Sequence, residues 1–276
     1  MNANIPLRLL IDLVLLVTFL LAQANIFTAN RFHEWSGVFL LLMISLHVVI
    51  NRRWFLTLFK GHYPIQRGSN LLINLLLVVL FATLTWGAFF ISRTVFSFAG
   101  VEGNRWLLQM HATLACWLLV VMGIHVGFFL ERIQSWLYRL WPGFSWGKHS
   151  PRWNLFLQTL LVGCGVYASF EQGMGAKLLL LPSEEDYYLL DQSMAAFCLL
   201  NMAIFAMYAI LTKWLLHFFK HHSARNASPK ESYRLKNRIL AQNEVSAEKI
   251  RKESGKKVFG FTSTLCRNTC RNANFS

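Results

Sequence analysis

The chain is 276 residues long, with 55% of positions hydrophobic, 14% charged and a formal net charge of +14. That balance is far from an ordinary soluble domain. The apolar residues are clumped in blocks of about 20, the length at which a helix rising roughly 1.5 Å per residue spans the roughly 30 Å hydrocarbon core of a bilayer.

Six such blocks follow one another along the chain. The first, about Leu9 to Phe27, carries Asp12 and is preceded only by Arg8; it has no small-residue cleavage site, so it reads as a retained span rather than a signal peptide. The second runs from about Trp35 to Ile50, with His33 just ahead of it and His47 near its end. The third is Leu71 to Ile91, the fourth Leu107 to Leu130 with His111 and His125, the fifth Leu155 to Phe170 and the sixth Ser193 to Phe219. The expected fold is an all-α polytopic bundle of six transmembrane helices with a four-helix core, occupying residues 1–220.

Residues 221–276 are a different material, with twelve Lys or Arg against four Glu and few large apolar residues before Phe259. They read as a largely flexible basic tail, suited to anionic lipid headgroups. The rest of the basic charge is topogenic in its distribution, which argues against nucleic acid as the partner. Arg52, Arg53, Lys60 and Arg67 follow the second block, and Arg132, Arg139, Lys148 and Arg152 follow the fourth. The alternate connections hold Arg31 alone, then Arg93 and Arg105, then Lys177 beside Glu184, Glu185, Asp186 and Asp191. Because Lys and Arg are retained on the cytoplasmic side, this alternation puts both termini inside. Trp35 and Trp106 at one interface, and Trp54, Trp136, Trp141, Trp146, Trp153 and Trp214 at the other, read as interfacial anchors.

Of the five cysteines, Cys116, Cys164 and Cys198 read as small buried hydrophobes, and the tail pair Cys266 and Cys270 lacks the second pair a metal site needs. No Cys-x-x-Cys-His occurs, which argues against covalently attached haem.

Four histidines lie within spans, where ionisable groups are costly and usually have a partner. His33 and His47 are fourteen residues apart, as are His111 and His125. Fourteen steps of about 100° fall about 40° short of four full turns and climb about 21 Å, so each pair lies on one helix face. One antiparallel helix separates the second span from the fourth, so those two run the same way and His33 is level with His111, His47 with His125. Two histidines at one depth from two helices supply the two axial positions of a planar iron porphyrin, each binding through one nitrogen and donating the other N–H to a carbonyl or hydroxyl. The expected cofactors are therefore two non-covalent b haems. A zinc or manganese site would want further carboxylates, and the two helices offer only Glu34. For the propionates, Arg31 and Arg105 lie just outside the outer pair, and Arg52, Arg53 and Arg132 just past the inner pair. The same arginines also serve as topogenic charges.

The stretches HEWSGVFLLLMISLHVVI and HATLACWLLVVMGIHVGF align with an offset of 78 residues, each followed by a basic connection and another span. The sequence therefore predicts a core of two repeated helix hairpins. Gly37, Gly87, Gly123 and Gly127 fit either close approach of a porphyrin or close packing of helices.

The run His33-Glu34-Trp35-Ser36-Gly37, then Leu46-His47, Asn51 and Trp54, and then Gly123-Ile124-His125-Val126-Gly127, resembles the flavinylation-associated cytochromes, a group of bacterial membrane proteins. The similarity covers roughly residues 25–219 and includes Gly165-Val166-Tyr167-Ala168. The fourteen-residue spacing is also similar to the cytochrome b of quinol-oxidising complexes and to transmembrane ferric reductases. The resemblance implies a two-haem b cytochrome in the bacterial inner membrane, with partners among extracytosolic flavoproteins or iron–sulfur proteins and membrane quinone as a donor. The chain has no flavinylation motif of its own, so any flavin belongs to a partner.

The leading expectation is an electron-transfer subunit in which no residue of this chain is catalytic. The alternative is a quinol dehydrogenase or ferric-type reductase, with His62, Tyr63 and Arg67 as a candidate quinone site; the tail has no glycine-rich nucleotide fingerprint for a reductase domain. The third is a haem-free membrane scaffold or transporter.

Overall fold

A computed structural model describes residues 4–52, 65–99, 104–140, 151–181 and 192–226, and the described residues form an all-α fold. In chain order the helices are α1 (Asn4–Gln23), α2 (Asn30–Ile50), α3 (Ile65–Ile91), α4 (Arg105–Leu140), α5 (Pro151–Glu171), the short α6 (Met174–Leu178) and α7 (Met194–Asn226). Single 3-10 turns, Asn25–Phe27 and Ser97–Ala99, follow α1 and α3. Two units are distinguished, Met1–Leu216 and His217–Ser276. The site described below lies wholly in the first.

Among the described residues five helices, α2, α3, α4, α5 and α7, are long and apolar enough to cross a membrane. Helix α1 stands where the first block was expected but is not among those five. Several helices outrun their apolar blocks: α2 starts five residues before Trp35, and α4 continues ten residues past Leu130. Apolarity marks the depth of hydrocarbon, whereas backbone hydrogen bonding continues into the polar layer. His33 consequently sits inside the first turns of α2. Large side chains such as Leu72, Trp86 and Phe170 are 66%, 68% and 80% exposed, as lipid-facing positions are, because lipid gives no drive to bury them.

The tightest pairings are α1 with α2 and α3 with α4. The predicted hairpins joined the second span to the third and the fourth to the fifth. Only a short turn joins α1 to α2, and short connections make antiparallel neighbours. At the start of α2, the Glu34 carboxylate accepts from Ser92 Oγ at 2.7 Å, from the backbone N–H groups of Arg93, Thr94 and Val95 at 2.8, 3.0 and 2.8 Å, and from Thr94 Oγ1 and Asn30 Nδ2. Glu34 thus fastens the segment after α3 to the first turns of α2.

Glycines set the α4–α7 approach. A Cβ on Gly123 would lie 2.8 Å from the Phe205 carbonyl oxygen, and one on Gly127 would lie 2.6 Å from Thr212 Cβ. Gly165 on α5 meets Met207 and the Ala203 carbonyl of α7 in the same way. These are small-residue contacts of the kind that pack membrane helices. Three α4 side chains one turn apart, Gln109, Thr113 and Trp117, donate to the carbonyls of Leu180, Lys177 and Leu178 at 2.8, 3.0 and 3.1 Å, satisfying the end of α6.

The core gathers Phe19 and Leu20 of α1, Leu40 of α2, Leu84 of α3, Leu118, Leu119 and Val120 of α4, Ala168 of α5, Met174 of α6 and Ile204 and Phe205 of α7. Leu40 is seven residues from both His33 and His47, and Leu118 seven from both His111 and His125. Seven residues are nearly two turns, so each leucine lies on its helix's histidine face, midway between the two levels.

Candidate haem-ligating histidines

Helices α2 and α4 bring the four histidines together in two levels. His33 and His111 meet near the N-terminal ends of their helices, with ring centroids 6.1 Å apart and planes at 80°. At the other level, His125 lies within electrostatic reach of His47 and of Asp12. The first histidines meet at one end and the charge of His47 is felt by His125 toward the other, the pattern of two helices that run in the same direction.

On α2, each ring is tied by one nitrogen. His33 Nδ1 donates to the Ala22 carbonyl at 2.9 Å, and His47 Nδ1 donates to Asp12 Oδ1 at 2.7 Å. Both partners are oxygens that only accept, so the neutral imidazole must carry its proton on Nδ1 and its lone pair on Nε2. Nε2 is therefore the nitrogen presented to a ligand at both levels. Asn51, the C-cap of α2, donates from Nδ2 to the His47 carbonyl at 2.9 Å and stands 3.5 Å from His47 Nε2.

On α4, the Nδ1 atoms of His111 and His125 are buried with no hydrogen-bond partner. The Leu84 backbone lies beside His111, and the Phe129 ring lies 5.2 Å from that of His125. Two further orphaned acceptors, Oδ1 of Asn70 and of Asn74, sit on α3. An unsatisfied polar atom in an apolar interior costs about 1–3 kcal/mol, so such groups in a bundle mark places where a ligand or function is accommodated.

These residues fit an iron porphyrin better than a bare ion. Among the described residues no three His, Cys, Asp or Glu side chains converge as a metal cage, whereas a porphyrin brings four of iron's six ligands and asks the protein for two. His33 and His111, whose ring centroids stand 6.1 Å apart, would be the two side chains that hold such a group at this level. A Cβ on Gly37 or Gly87 would meet nothing within 4 Å. Gly37 is one turn from His33 on the same face, and Gly87 is three residues from Leu84, so both leave room at the His33/His111 level. Gly123 and Gly127, by contrast, are consumed by packing against α7.

No protein-family model, curated protein or solved structure matches this chain.

The arginines divide by end. Arg31 and Arg105 are exposed at the His33/His111 end; Arg52, also exposed, follows the Asn51 cap at the other. Arg132 stacks its guanidinium 5.5 Å from the centre of the Phe129 ring, beside His125. Arg53, His62 and Tyr63 lie outside the described residues, and Arg67 is in the first turn of α3.

Sequence reasoning missed the partners of the α2 rings. Ser45, two residues before His47, donates to the Leu41 carbonyl at 2.8 Å and not to the ring. The signal for Asp12 was present, since a carboxylate in an apolar helix needs a partner at its own depth. The register of α1 against α2, which selects His47 as that partner, is set by tertiary packing.

Proposed function

We propose that this chain is a membrane b-type cytochrome that passes electrons across the bilayer through two haems, one held by His33 and His111 and the other by His47 and His125. The observation that carries this reading is the His33–His111 pair, two imidazoles 6.1 Å apart on co-directional helices, with His33 Nδ1 committed to the Ala22 carbonyl and its Nε2 lone pair turned to a ligand. Haem, when bound, supplies one-electron iron chemistry; the protein supplies ligation, orientation and exclusion of water. The Ala22 carbonyl and the Asp12 carboxylate hold the tautomer and the plane of the α2 rings. Leu40 and Leu118 keep the layer between the levels packed. Arg31 and Arg105 at one end, and Arg52 and Arg132 at the other, are the cations for propionates.

In this reading α1 is the sixth span, both termini are cytoplasmic in a bacterial inner membrane, and residues 221–276 are a basic tail against lipid headgroups. The partners are those of the family it resembles: an extracytosolic flavoprotein or iron–sulfur protein, with membrane quinone as donor. The test is a reduced-minus-oxidised absorption spectrum of the purified chain with a haem assay, for which two b haems per chain are expected. A colourless chain would overturn the reading and leave a scaffold or transporter. Reduction of the oxidised protein by a quinol analogue is the expected sign that quinol is the donor.

A further inference from the structure

The two α2 histidines are held by oxygens of different charge. His33 Nδ1 donates to a neutral peptide carbonyl, that of Ala22, whereas His47 Nδ1 donates to the carboxylate of Asp12. We propose that Asp12 is a positioning residue that makes the His47/His125 level the lower in reduction potential, so that electrons run from that level to the His33/His111 level. The inference rests on the two-haem reading and gives it a direction.

The physical ground is the basicity of the ligand. A carboxylate that accepts the outer N–H of an imidazole draws the proton toward itself and leaves the other nitrogen richer in electrons, and a richer ligand favours the more oxidised metal. A peptide carbonyl does this more weakly because it carries no net charge. The charge of Asp12 acts in the same sense through space, in a hydrocarbon layer that screens it poorly.

The remaining charges do not reverse the asymmetry. Arginines stand at both ends, Arg31 and Arg105 at one and Arg52 and Arg132 at the other. Glu34, the carboxylate next to His33 in sequence, is turned to the segment after α3, where its oxygens accept from Ser92, Arg93, Thr94 and Val95 and bond neither imidazole. Lys213 of α7 donates to Gln134 at 3.1 Å. Asp12 is thus the one carboxylate bonded to a ligating ring among the described residues. With haem bound, the two levels would exchange a single electron, given up at the level that His47 and His125 would hold and taken at the level that His33 and His111 would hold, with no bond or proton changing hands. With the orientation proposed above, that direction is outward, toward an extracytosolic acceptor.

A potentiometric titration of the full-length protein in lipid nanodiscs, followed by haem absorption, tests this. Two waves are expected. His111→Ala should keep only the lower wave and His125→Ala only the upper, which assigns the levels without touching Asp12. Asp12→Asn should then raise the lower wave and leave the upper in place, while Asp12→Glu, which keeps the carboxylate, should hold it near the wild-type position. A lower wave that survives in His125→Ala, coincident waves in the wild type, or an Asp12→Asn that moves neither wave or the upper one would overturn the inference. If Asp12→Asn loses the haem, the two histidine variants still decide the order of the levels. Absence of haem from the wild type is a different result and fails the two-haem reading itself.

Discussion

In the proposed six-span arrangement Asp12 lies in the hydrocarbon layer, where a carboxylate is costly, and His47 bonds it at 2.7 Å. This separates two variants that would otherwise look alike. In the proposed reading His47 and His125 hold the same haem, so His47→Ala and His125→Ala should each halve the haem-to-protein ratio. His47→Ala also strands Asp12, so its thermal midpoint in detergent should fall below that of His125→Ala by about 2–4 °C, the shift that roughly 1 kcal/mol makes in a chain of this size. Equal midpoints would mean that Asp12 finds another partner. At the opposite end, Glu34→Gln replaces one of two accepting oxygens with an amide that donates, where the surrounding groups are almost all donors. The amides of Arg93, Thr94 and Val95 should then exchange hydrogen faster, by roughly tenfold for each 1.4 kcal/mol of lost protection; unchanged exchange would show that the segment holds without the carboxylate.

At the scale of helices, the glycines separate into two kinds that the sequence could not tell apart. Gly123 and Gly127 are i, i+4 on α4 and lie against α7, so Gly127→Val forces a clash with Thr212 Cβ and the Ala209 carbonyl oxygen, 2.6 and 2.7 Å from where its Cβ would stand. Overpacking of this kind costs about 1–3 kcal/mol. Gly37→Ala meets open space, so it should leave the detergent unfolding midpoint near that of the wild type while Gly127→Val lowers it. The contrast shows what a single chain of letters carries. The fourteen-residue spacings of His33 with His47 and of His111 with His125 were legible because helical geometry is local: the face and the rise follow from residue count alone. Which glycine would touch which neighbour, that Asp12 would reach His47, and that α3 would pair with α4 are matters of register between helices, decided by contacts far apart in sequence. The short α6 and its Gly173 N-cap at φ 57° fell inside a connection that hydropathy leaves blank.

For the molecule as a whole, the apolar blocks identified an all-α membrane bundle, and five helices have the length and composition of spans. The sixth span rests on the apolar block Leu9 to Phe27, and the orientation on charge. They are testable together: an impermeant thiol reagent applied to intact cells should leave the tail cysteines Cys266 and Cys270 unlabelled until lysis, and labelling before lysis would reverse the proposed topology.

If the proposed haems are held at the two levels, the layer built on Leu40 and Leu118 would put a voltage between them. Fourteen helical residues separate the levels by about 21 Å, roughly two thirds of the hydrocarbon thickness, and no ion accompanies an electron through packed side chains. Each transfer is then electrogenic, and 100 mV across the membrane should bias it by about 1.6 kcal/mol, a shift of roughly fifteenfold in how reduced one level is relative to the other. In proteoliposomes, an imposed potassium diffusion potential should redistribute electrons between the two haem signals accordingly. A distribution blind to that potential would mean that the two irons share one depth.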